Sequence, residues 1–141
     1  LKLSINVTAT NICEPGFCGE VLATLVRHGL PASCIELELT ETAVMTDRGQ
    51  AMLQLKALDR AGVRLAIDDF GTGYSSLAYL QKLPVHVVKI DQSFVRWMSQ
   101  DPRQASLVRA MIGLCHDLGY GVVAEGVEDQ RAADLLREGG C

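Results

Sequence analysis

Five times along the chain a short aliphatic run gives way, across a turn, to a stretch with helical spacing. This rhythm constrains the fold more than any other feature. A strand that is followed by a helix and then by another strand returns to the same end of the sheet, so the strands run parallel. The expected strands are Leu1 to Val7, Ile35 to Leu39, Val63 to Asp68, Val85 to Ile90 and Gly121 to Ala124. The expected helices are Phe17 to His28, Asp47 to Ala61, Ser75 to Lys82, a helix opening at Asp101-Pro102 and closing before Gly119, and Asp129 to Glu138. Asp101 followed by proline is a helix start, an acid cap ahead of a residue with φ already set. Two folds accommodate the pattern. One is an open doubly wound sheet, which suits the length of 141 residues. The other is a large part of an eight-unit barrel, which in full takes about 250 residues. No glycine-rich dinucleotide fingerprint opens any helix, which weighs against the first.

Composition narrows the function. Hydrophobic residues make up 48% and charged residues 21%, enough apolar surface for a packed core. A net charge of -4 argues against general nucleic-acid binding but leaves room for a phosphate ligand held through cations. No apolar run approaches a membrane span, and nothing at the start resembles a secretion signal. Five scattered cysteines with no metal-type partner spacing read as reduced thiols, in a cytoplasmic setting.

The polar residues gather at the strand ends. Asn6 stands near the end of the first strand, Glu38 and Glu41 at the second, Asp68 and Asp69 at the third, Lys89 and Asp91 at the fourth, Glu125 and Glu128 at the fifth. In a parallel sheet these ends share one rim. Singly, each has an ordinary structural role: Asp91 and Asp129 as helix caps, Lys89 as a surface charge. Jointly they do not, because carboxylates crowded on one rim repel each other unless a cation sits among them. Mg2+ and Mn2+ take such oxygen donors. Neighbouring acids such as Asp68 and Asp69 suit two ions about 3.5–4 Å apart, the usual arrangement for phosphodiester hydrolysis. Gly71, Thr72 and Gly73 after them read as a loop that allows close backbone approach.

The segments "SINV" (Ser4–Val7), "ELTET" (Glu38–Thr42), "DDFGTGYSSL" (Asp68–Leu77), "VKIDQSFV" (Val88–Val95) and "VVAEGVE" (Val122–Glu128) occur in the order and spacing of a known family. Together they resemble the EAL domain, the bacterial cyclic di-GMP phosphodiesterase module, over essentially the whole chain. The resemblance selects the TIM-like (β/α) barrel, here as about five units of an incomplete barrel, with 1–141 a single partial domain. It implies hydrolysis of cyclic di-GMP to linear pGpG with two Mg2+ or Mn2+ ions. By motif, Asn6, Glu38 and Asp68 correspond to ligands of one metal, Asp68 to the bridge, and Asp69 and Glu125 to the second site. Glu125 corresponds to a general base, with a metal-bound water near Lys89 as the alternative. Glu41 corresponds to the anchor of the loop from Asp68 to Ser76, and Glu128 to a supporting acid. The resemblance further implies a homodimer of the full domain and fused sensory or GGDEF domains, with no DNA or membrane contact by this segment. The namesake Glu-Ala-Leu motif and the closing strand are expected outside this segment, so this chain alone is expected to show little or no phosphodiesterase activity. A non-catalytic cyclic di-GMP receptor and a dimerising signalling module are the alternative readings.

Overall fold

The structure is a computed structural model and describes residues 2–46, 48–73 and 77–141. Leu1, Asp47, Ser75 and Ser76, which figure in the expected element starts and in the loop, lie outside the described residues. Five parallel strands form one sheet in chain order: β1 (Leu3–Val7), β2 (Ile35–Thr40), β3 (Arg64–Phe70), β4 (Val87–Ile90) and β5 (Gly121–Ala124). Sequential order with a helix between each pair of strands is what repeated right-handed crossovers produce.

The helices are α1 (Ala9–Cys13), α2 (Phe17–Arg27), α3 (Glu41–Thr46), α4 (Arg48–Arg60), α5 (Leu77–Leu80), α6 (Gln92–Val95), α7 (Pro102–Asp117) and α8 (Gln130–Glu138). Three of these, α1, α3 and α6, are not expected from periodicity, because four to six residues are too few to show it. Each of the three directly follows a strand end. The expected α7 start holds: Asp101 accepts a hydrogen bond from the Arg103 amide at 2.8 Å, with proline next in line.

Strand periodicity sorts the sheet into two faces. Leu37, Leu39, Leu65, Ile67, Val88 and Ile90 face the helices and are buried. On that side they meet Ala51, Leu55 and Leu58 of α4 and Val108, Ile112 and Cys115 of α7 in one core. Sequence spacing puts Met52 on the α4 stripe, but Ala51 holds the buried position and Met52 is only partly covered. The other face carries Ser4, Asn6, Glu36, Glu38, Arg64, Asp68 and Lys89, in the register Asn6 beside Glu38, Glu36 beside Arg64 and Thr40 beside Asp68. This polar face is the concave side of a barrel. The sheet does not close here: β1 and β5 are its two edges. Among the described residues no helix is long and apolar enough to cross a membrane.

Candidate active site

The site begins with an irregularity in β3. Ile67 pairs with Val88 and Phe70 pairs with Ile90, so Asp68 and Asp69 together stand opposite the single residue Lys89. That is a β-bulge. In a regular strand, adjacent side chains point to opposite faces. Here Asp69 takes a left-handed backbone, φ 53°, alone among the described non-glycine residues. Aspartate is one of the few side chains that tolerate this region. The consequence is that Asp68 and Asp69 serve the same site: one carboxylate oxygen of each, and one of Glu125, lie within 4.8 Å of one another.

Lys89 occupies the middle of the polar face. Its ammonium donates to Glu125 Oε1 at 2.6 Å and to Glu38 Oε2 at 3.1 Å, and lies 3.3 Å from Asp68 Oδ1. The side chain is 15% exposed, so it is a buried hub and not a surface charge. Burial by itself lowers the ammonium. The hydrogen bonds to Glu125 and Glu38 and the Asp68 charge outweigh that, and the net effect holds the proton more tightly than usual.

One cation does not balance the acids. Asp69 is raised above the ordinary carboxylate range, by burial first and then by the charges of Asp68, Asp91 and Glu125, with only Lys89 pulling the other way. Asp91 therefore has two connections. It caps α6, accepting from the Ser93 amide at 2.9 Å, and it adds its charge to the rim. The sequence places Asp91 both among the rim acids and as a cap, and the structure gives it both roles. Asp129 is a cap, accepting from the Ala132 amide at 2.7 Å.

The glycine loop is tied to α3. Glu41, 4% exposed, opens that helix, and its Oε2 accepts from the amides of Gly71 at 3.1 Å and Gly73 at 3.3 Å. A Cβ at Gly73 would come within 3.0 Å of the Glu41 carboxyl carbon. Thr72 turns its hydroxyl back onto the Asp69 carbonyl at 2.8 Å. Asn6 lies beside Glu38 on the edge strand and is exposed. Glu128 is exposed on the turn before α8, lines a hollow with Arg96 and Trp97, and is outside the carboxylate cluster.

Acids at the carboxyl ends of parallel strands, followed by short loops and helices, define the (β/α)-barrel class, whose active sites sit on that face. The sequence profile of the EAL domain matches residues 1–141, and the chain belongs to the EAL domain family. It is 38% identical over 140 residues to the bifunctional diguanylate cyclase/cyclic di-GMP phosphodiesterase MucR of Pseudomonas aeruginosa, covering 99% of this chain and 20% of MucR. The crystal structure of the EAL domain of Mycobacterium smegmatis DcpA superposes with a TM-score of 0.93 at 42% identity, covering all of this chain and 63% of that one. A manganese/cyclic di-GMP complex of Klebsiella pneumoniae BlrP1 superposes with a TM-score of 0.88 at 36% identity, covering 99% of this chain and 36% of that one. The chain spans 18–24% of the length of several curated relatives.

Proposed function

We propose that this chain is part of a divalent-metal-dependent phosphodiesterase that hydrolyses cyclic di-GMP to linear pGpG, with 1–141 one partial domain of it. The observation that carries the reading is the bulge, which turns Asp68 and Asp69 toward Glu125 around a lysine that cannot neutralise them all. A hard divalent cation suits this all-oxygen donor set. The manganese/cyclic di-GMP complex of BlrP1 supports the same assignment by similarity.

In this reading Asn6, Glu38 and Asp68 hold one ion, and Asp68, Asp69 and Glu125 hold a second, as Mg2+ or Mn2+. When bound, the ions supply positive charge to the phosphodiester oxygens and make a water acidic enough to attack at neutral pH. The protein's own groups do the rest. Glu125 accepts the proton of the attacking water. Lys89, which donates to Glu125 at 2.6 Å, keeps that carboxylate in position and adds charge as the phosphoryl oxygens become more negative. Glu41 fixes Gly71 and Gly73, and so the turn that follows Asp69. The full domain works as a homodimer fused to sensory or GGDEF modules; the two activities in MucR's name are consistent with such a fusion.

The test is hydrolysis of cyclic di-GMP by a protein carrying the complete domain, followed by chromatography of the linear product. Mg2+ or Mn2+ should be required, and Asp68→Asn should remove most turnover, a loss on the order of 10²-fold or more for an electrostatic group in the site. Parental turnover by Asp68→Asn at saturating metal would defeat the assignment.

A further inference from the structure

The four-residue helix α6 touches both loops that carry candidate ligands. Gly126 follows Glu125 directly and has φ +68°; a Cβ there would stand 2.5 Å from Gln92 Cβ. Gly71 lies two residues after Asp69 and has φ +100°; a Cβ there would stand 2.7 Å from Phe94 Cε2 and 2.8 Å from Met111 Cε. Gln92 and Phe94 are the first and third residues of α6. Each of the two backbones is therefore pressed against α6 at a point where only glycine fits.

The helix is itself fixed. Asp91 caps its start, Val95 is 1% exposed in the core, and Gln104 of α7 donates to the Phe94 carbonyl at 3.0 Å. A four-residue helix held at both ends makes a rigid block, because dense packing leaves no room to slide.

We propose that α6 is a spacer that sets the separation of Asp69 and Glu125, with Gln92 and Phe94 as positioning residues acting through Gly126 and Gly71. The bulge alone does not fix that distance: Asp69 lies on β3 and Glu125 directly follows β5, strands that are not neighbours, and the Glu125 amide is tied to β4, donating to the Ile90 carbonyl at 3.1 Å. β4 lies between them, and α6 is the continuation of β4. The block fills the gap above β4 and leans on both sides. The metal part of the proposal rests on the function proposed above; the spacing part does not.

The test is hydrogen–deuterium exchange of a protein carrying the complete domain, read by peptide, combined with Mn2+ titration followed by electron paramagnetic resonance. In Phe94→Ala, exchange at residues 68–73 should rise about tenfold while β2 keeps its parental rate, the signature of local rather than global opening. Mn2+ affinity should fall about tenfold in parallel, a difference of 1.4 kcal/mol. Phe94→Leu should restore most of both. Gln104→Ala, which frees only the Phe94 carbonyl, should move them in the same direction by less, and it serves if Phe94→Ala does not fold. Unchanged exchange at 68–73, or an equal rise in β2, would overturn the proposal. Loosening at 68–73 without Mn2+ binding by the parent chain would leave the spacer standing and remove the metal reading.

Discussion

Asp69 combines a left-handed backbone with a carboxyl that burial and the charges of Asp68, Asp91 and Glu125 raise above the ordinary aspartate range. Both features work against stability, and both follow from placing two acids on one side of a strand. The sign of the effect is testable. Its folded-state value is raised, so its favourable contribution exists only below the ordinary aspartate range and is lost as pH rises through the folded value. At neutral pH without metal, ionised Asp69 is a burden. Asn tolerates the same backbone without the charge. Asp69→Asn should therefore raise the melting temperature in chelator at pH 7 by about 3 °C. The gain should vanish near pH ~3, where aspartate is largely uncharged in folded and unfolded chains alike. Lys89 has the same sign in a different window: its raised value means its contribution is complete below the ordinary lysine range, and so is fully present at neutral pH, and is lost as pH climbs through the folded value. Lys89→Met should cost about 3 kcal/mol in urea melts at neutral pH, because Glu38, Asp68 and Glu125 lose the cation they share. Equal stability of Lys89→Met and parent would show that the hub contributes nothing.

At the scale of elements, the loop after β3 is built by α3 and α6 from two sides. Glu41 reaches it through hydrogen bonds, and Phe94 reaches it through packing. Glu41→Ala removes one acceptor and leaves two amides to find other partners. It should cost about 2 kcal/mol. The accompanying sign is faster amide exchange at Gly71 and Gly73, with β2 unaffected. Glu41→Gln keeps an acceptor oxygen and should recover part of the protection. If Glu41→Ala left both amides as protected as before, the tie between α3 and the loop would be incidental. α5 is fastened independently: Tyr79 donates to the Val44 carbonyl at 3.0 Å, and the buried Tyr120 donates to the Leu80 carbonyl at 2.7 Å. Packing around the loop thus holds its base while the candidate ligands stay at the rim.

At the scale of the whole molecule, the sheet has two open edges and an apolar side that is only partly covered. Leu3 is 56% exposed and Ile5 41%, in a groove of about 500 Å3 that β1 shares with Val21 and Leu25 of α2. Val123 on β5 is 45% exposed at the other edge. Unpaired parallel edges beside apolar surface invite pairing between chains. The isolated 141-residue chain should therefore self-associate at micromolar concentration, as read by light scattering after gel filtration. Ile5→Lys places a charge at the edge and should shift the population toward monomer. A parent chain that stays monomeric throughout would show that these edges are already protected.

The alternation of strands and helices was legible in the sequence because it depends on local periodicity and on turn residues such as Gly29, Gly62 and Gly119. The parallel sheet and the gathering of acids at one rim followed from that alternation alone. Periodicity left the choice between an open sheet and a barrel unsettled, and the family motifs supplied it. What the tertiary structure decided is how the rim is arranged. Glu38 and Lys89 meet from positions 51 residues apart, a contact that depends on register across three strands. The bulge that turns Asp68 and Asp69 to one side appears only when β3 is paired with β4, because a bulge is a property of two strands and not of one. Short helices such as α6 carry no periodic signal, yet α6 is packed against the loops that follow Asp69 and Glu125. The sequence specified which groups reach the rim; packing between distant segments determined how far apart they stand.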